Sequence, residues 1–161
     1  MIIISDTSPI NYLVIIGEID LLSRLFARVI IPSAVVTELK HPNTPAAVRQ
    51  WTDAPPPWLE IRDATALDPT IKLGAGEVAA ISLALEINAD QLLLDDKKAW
   101  RAAETRGFRV TGTLSVLREA AIREWIDLPA ALARIQQTTF NVTPALIQKM
   151  LDEDAERKQQ H

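Results

Sequence analysis

The 161-residue chain contains no cysteine, which excludes disulfides, zinc–thiolate centres and thiol nucleophiles. Its two histidines are His41, beside a turn proline, and His161, the last residue. Neither stands where an imidazole base or a Ser-His-Asp arrangement would be built. Aromatic residues make up 5% of the chain, too few and too scattered for a platform that stacks single-stranded bases. No apolar run approaches the roughly 20 residues that a membrane span needs. The first apolar stretch is short and has no basic region before it, so no signal peptide is expected and the expected address is cytoplasmic, with no membrane partner. Basic charge is also in deficit. Seventeen Lys and Arg face 21 Asp and Glu, a net charge of −4, the wrong sign for gripping nucleic acid through bulk electrostatics. A phosphate-bearing substrate would then have to be held by local cations or through metal. There is no phosphate-loop lysine motif, and Gly74-Ala75-Gly76 lacks the third glycine of a dinucleotide fingerprint. It reads as a flexible lead-in to a helix.

What is present is a chain 48% hydrophobic, of a size that makes one domain with a substantial core. Short apolar runs alternate with helical periodicity, which predicts parallel strands joined by helices. Strands are expected at Met1–Ser5, Arg28–Ile31, Trp58–Arg62 (an edge), Gln91–Leu94 and Phe108–Thr111. Helices are expected over Asn11–Ala27, broken near Gly17 and restarted at Asp20, then from Ser33 to about Lys40, and over Ala46–Trp51. The strongest helical signal, Glu77–Asn88, is apolar over a broad face. Lys97–Arg106 follows, closed by Gly107, and then Thr113–Trp125, Pro129–Gln137 and Pro144–Lys158 come with no strands between them. The fold class is α/β, with a helical carboxyl-terminal tail.

Acidic residues recur where these elements meet. Asp6 follows the first strand, Asp95-Asp96 follows Gln91–Leu94, Glu77 opens its helix, and Glu38 lies on the helix after Arg28–Ile31. In an open parallel sheet, functional groups collect beyond the carboxyl ends of the strands. Each acid has a plainer reading. Asp6 can cap a helix beginning near Pro9, and Asp96 can cap the Lys97 helix. Glu77 is favoured in a first turn by the helix dipole, and Glu38 can simply be exposed. The set shifts the balance: carboxylates gathered at one edge repel one another, and oxygen ligands of this kind suit Mg²⁺ or Mn²⁺. Directly after Asp95-Asp96 comes a basic stretch, Lys97, Lys98, Arg101, Arg106 and Arg109. By spacing alone it is the solvated face of a helix; its place beside the acids also lets it hold a phosphate backbone.

Asp6-Thr7-Ser8-Pro9, Val36-Thr37-Glu38-Leu39, Leu73-Gly74-Ala75-Gly76-Glu77 with Ala80-Ile81-Ser82-Leu83-Ala84, and Leu92-Leu93-Leu94-Asp95-Asp96 together resemble a PIN-domain protein. The likeness is strongest to the prokaryotic branch similar to VapC toxins, and Gly107–Thr113 fits the same branch. It covers Met1 to about Trp125. The resemblance implies a three-layer α/β/α sandwich around a central parallel sheet, one domain over 1–161 with its core at 1–125 and carboxyl-terminal helices at 126–161. It implies an endoribonuclease that cleaves single-stranded RNA with Mg²⁺ or Mn²⁺, often a toxin paired with a small antitoxin protein, and often a homodimer. Carried across position by position, Asp6, Glu38 and Glu77 match the first three acids. The fourth matches Asp95 or Asp96, with Asp96 favoured because it directly precedes the next helix. The expected catalytic set is thus Asp6, Glu38, Glu77 and Asp96, with metal ligands drawn from Asp6, Glu77, Asp95 and Asp96. Ser8 or Thr7 is expected to orient Asp6 or a water beside it. Lys97, Lys98 and Arg101 are the expected contacts to the RNA backbone. Glu77 stands where many toxin members carry aspartate, and the fourth site carries a doubled acid followed by Lys97-Lys98. A non-catalytic binding module on the same fold is the competing expectation. An aspartyl phosphotransferase using Asp6 as nucleophile is disfavoured, because Asp6-Thr7-Ser8 lacks the second aspartate such enzymes use.

Overall fold

In a computed structural model that describes residues Met1–Gln160, the chain forms two compact units, Met1–Thr113 and a helical unit from Leu114 on. The first is built on five parallel strands: β1 (Ile3–Ser5), β2 (Val29–Ile31), β3 (Leu59–Ile61), β4 (Gln91–Leu93) and β5 (Arg109–Thr111), in the order β3-β2-β1-β4-β5. The three central strands are buried at every position. That is why they read as largely apolar runs, with only Ser5 and Gln91 polar, and not as alternating ones. Ile4, Ile30 and Leu92 join Ile81, Leu83 and Leu94 in one buried cluster, each such side chain stabilising the fold by about 1.5–3 kcal/mol. The edge strands β3 and β5 are partly exposed.

Connections β1→β2→β3 step one way across the sheet, and β3→β4→β5 step back past β1. Right-handed crossovers then put α1 (Thr7–Ile15), α2 (Leu21–Phe26), α3 (Ser33–Leu39) and α4 (Ala46–Asp53) on one face. They put α5 (Ala75–Ile87) and α6 (Lys97–Thr105) on the other, giving the expected α/β/α sandwich. The strand order reverses between β1 and β4, and the crevice at such a switch point is where open α/β sheets place their sites.

Local differences from the expected elements have physical causes. The first helix starts at Thr7 and not Asn11, and stops at Ile15; Gly17, at φ 78°, turns the chain before α2. α5 is buried on nearly every side in its first ten residues, so its apolar face is wider than an amphipathic stripe. It ends on Asn88 in the left-handed region, whose N–H donates to Ala84 O, a usual close for a helix. α7 (Thr113–Ile122) begins at the last residue of the first unit, and the second unit also holds α8 (Leu128–Gln136) and α9 (Pro144–Gln159), with α8 packed on α9. The boundary between the units at Thr113 precedes the 125/126 division expected from sequence. Among the described residues no helix is long and apolar enough to cross a membrane.

Candidate active site

Asp6 directly follows β1, and its backbone N–H continues the ladder to Leu93 O at 3.0 Å. It occupies the position before the first turn of α1, yet its side chain makes no capping bond. The residue is 7% exposed, and its Oδ1 is buried without any hydrogen-bond partner. Burial pushes its pKa up from the usual 3.8 to about 7, helped by the negative charges of Glu77, Glu38 and Asp95, while a bond from Thr7 N–H pulls the other way. Capping therefore does not explain Asp6.

The other acids close in from separate elements. Glu38, near the end of α3, accepts from Thr7 Oγ1 at 2.6 Å and from Gly76 N–H at 3.2 Å. Glu77, in the first turn of α5, accepts from Gly74 N–H at 3.2 Å. Its pKa is raised by burial and by the charges of Asp96 and Glu38. Asp96 caps α6, accepting from Ala99 N–H at 3.0 Å, so its plainer reading describes one of its oxygens. Asp95 accepts from Ser8 Oγ and Thr113 Oγ1, each at 2.6 Å, and from Thr113 N–H at 2.8 Å. All five acidic positions read from the sequence are thus brought to one edge, where Asp6 feels the charges of Glu77, Glu38 and Asp95, and Glu77 those of Asp96 and Glu38. Thr7 and Ser8 lie in the site, but their hydroxyls serve Glu38 and Asp95 and not Asp6.

Gly76 makes this convergence possible. It is buried inside α5, and a Cβ there would overlap Glu38 Oε2 and sit 2.9 Å from Asp6 Oδ1. Gly74-Ala75-Gly76 is therefore no flexible lead-in: its last residue is helical, and carboxylates fill the space a side chain would take. A glycine within a helix costs about 0.5–1 kcal/mol relative to alanine, so a glycine at that position is itself a sequence signal of close approach. Thr113 was not among the expected site residues. The parallel register that pairs Leu93 with Thr111 would have placed it next to Asp95.

Lys97, Lys98 and Arg101 are exposed on α6. The helix starts at the acidic edge and runs away from it, so Lys97 and Lys98 stand nearest the acids and Arg101 about one turn further. Arg106 lies at the far end, donating to Ala102 O and Thr70 Oγ1, and Arg109 begins β5 at the opposite edge of the sheet. The basic stretch is therefore split. His41 takes part in its own turn, accepting from Asn43 N–H at 3.1 Å, and His161 lies outside the described residues.

The donor set is entirely carboxylate, one buried carboxylate oxygen is unpartnered, and the acids meet over a backbone stripped of its Cβ. These features fit a hard divalent cation, the ion such oxygens prefer. Among the described residues no three His, Asp or Glu side chains already form a set that could hold an ion as they stand.

A model of the PIN-domain family matches residues 2–156. No curated protein and no solved structure matches the chain.

Proposed function

The chain belongs to the PIN-domain family, a nuclease-type fold, and from that premise we propose a divalent-metal-dependent endoribonuclease acting on single-stranded RNA. The observation that carries the reading is Asp6: buried, unpartnered at Oδ1, and set against Glu38, Glu77 and Asp95. A carboxylate left in that state destabilises the fold unless a cation completes it. Asp6 and Asp95, and Glu77 and Asp96, are the pairs that would hold Mg²⁺ or Mn²⁺, with Glu38 between them. When bound, the metal supplies positive charge that activates a water and stabilises the leaving oxygen.

The chain's own residues do the rest. Thr7, Ser8 and the N–H groups of Gly74 and Gly76 fix the carboxylates, so little reorganisation accompanies the reaction. One carboxylate takes the proton of the attacking water as the oxygen bonds to phosphorus and the P–O bond to the leaving nucleotide breaks. Lys97, Lys98 and Arg101 hold the RNA backbone as it crosses the start of α6, local cations in a chain whose net charge is negative. The VapC-like role, a toxin restrained by a small antitoxin, and a homodimeric state complete the proposal.

The test is cleavage of single-stranded RNA in Mn²⁺ or Mg²⁺ by wild type, Asp6→Asn and Asp96→Asn. Loss of cleavage in both variants and with chelator is expected. Equal cleavage by all three proteins would sink the enzyme. Metal-independent RNA binding without cleavage would favour a non-catalytic module. Growth arrest on expression, relieved by a small protein encoded next to this chain, tests the toxin role.

A further inference from the structure

Leu93 pairs with Thr111 in the register of β4 and β5, so the residues two positions on, Asp95 and Thr113, come side by side beyond the strand ends. Thr113 is fully buried. Its N–H donates to Asp95 Oδ1 at 2.8 Å and its hydroxyl to Asp95 Oδ2 at 2.6 Å. From the other side Ser8 donates to the same Oδ2 at 2.6 Å. Gly112 gives the room, since a Cβ there would lie 2.9 Å from Asp95 Oδ1.

Capping a helix start needs one bond from a backbone N–H to a side-chain oxygen, and the Thr113 N–H already provides it. Two hydroxyls converging on the second oxygen exceed that need. A carboxylate with three fixed donors cannot turn, and the pairing of Ser5 with Leu93 in β1 and β4 puts the one held here just beyond the strand ends next to Asp6, whose Oδ1 has no partner.

We propose that Thr113 is a positioning residue: with Ser8 it locks the Asp95 carboxylate beside Asp6, presetting the two aspartates as a pair for the divalent ion. The inference rests on the metal-dependent reading above. Thr113 itself touches neither ion nor RNA, and acts through Asp95.

The experiment is titration of Mn²⁺ alone into the full chain by calorimetry, without RNA, alongside thermal melts in chelator. Thr113→Val keeps the shape and the N–H but removes the hydroxyl. It is expected to weaken Mn²⁺ binding about 10–100-fold, the usual cost of losing a group that orients a ligand. Thr113→Ser is expected to restore it. Ser8→Ala, which loosens the same oxygen without touching the start of α7, is expected to weaken binding in the same direction and stands in if Thr113→Val does not fold. Wild-type affinity in Thr113→Val overturns the proposal, as does a lowered melting temperature with unchanged affinity, or a loss that serine fails to restore. If wild type binds no Mn²⁺, the metal-dependent reading falls and takes this inference with it. If wild type binds and only the Thr113 result fails, the reading survives and the positioning role does not.

Discussion

Two aspartates in this chain are almost wholly buried, and they live in opposite circumstances. Asp154 in the helical unit is 2% exposed. Arg157 bonds to its Oδ1, and Lys158 lies 2.8 Å from its Oδ2. Asp6 in the sheet unit is 7% exposed, has a free Oδ1 and, apart from a bond from Thr7 N–H, faces other acids with no cation beside it. A buried charge with its partners on the next turn of the same helix is a structural device. A buried charge ringed by like charges is a local instability kept in place by something outside folding. Burial alone does not distinguish these two acids; the presence or absence of a counter-charge does.

The largest expected effect comes from removing the Asp6 charge. Its pKa is raised, so between about pH 4 and 7 the folded state binds a proton that the unfolded state has lost. Stability therefore falls as pH rises through that window and levels off above it. The displacement from 3.8 to about 7 corresponds to about 4 kcal/mol. Asp6→Asn is expected to gain a large part of this at pH 8 in chelator while losing RNA cleavage, read by urea denaturation and by cleavage assay. A variant less stable than wild type at pH 8 would break the contrast with Asp154.

Next in size is the opposite manipulation. Arg157→Ala takes one partner from Asp154 and is expected to destabilise by about 3 kcal/mol, the low end for a broken buried pair because Lys158 still holds the second oxygen. Urea midpoints report it, and cleavage per folded molecule should stay level. Third is Gly76→Ala, which places a methyl among the Asp6 and Glu38 carboxylates. Overpacking of this kind costs about 1–3 kcal/mol, partly offset by alanine's preference for helix. Mn²⁺ affinity measured by calorimetry should fall on the order of tenfold; unchanged affinity would show that the convergence over Gly76 is incidental. The smallest effect isolates strain without charge. Ala27, at φ 64° and ψ −48°, sits at the centre of a tight turn closed by Arg28 N–H to Phe26 O at 2.7 Å, a γ-turn of the strained hand. Ala27→Gly is expected to stabilise by about 1 kcal/mol with cleavage unchanged.

The sheet was legible because its central strands are short and mostly apolar, with Ser5 and Gln91 the polar positions, and the helices because their apolar faces repeat. Asp6, Glu38, Glu77 and Asp95-Asp96 were legible because acids at the ends of apolar elements are conspicuous. What lay hidden were the groups that hold them. Thr113 looks like any helix-opening threonine until the β4–β5 register is known, and Gly76 like ordinary flexibility until two other elements are seen to press against it. Ser8 and Thr7 could be placed near the site from sequence, but their bonding partners, Asp95 and Glu38, are 87 and 31 residues away. Such pairings depend on tertiary packing, which periodicity does not encode.

Glu38 and Asp95 are tied to donors on other elements, Glu38 to the starts of α1 and α5 and Asp95 to α1 and Thr113, while Glu77 and Asp96 are held by donors of their own helix starts, Gly74 and Ala99. The placing of Glu38 and Asp95 therefore depends on how those elements are packed, and regions of a fold open locally before the whole unfolds. On warming, catalysis should fail at a lower temperature than the sheet, and at that point the protein is still folded but miscalibrated.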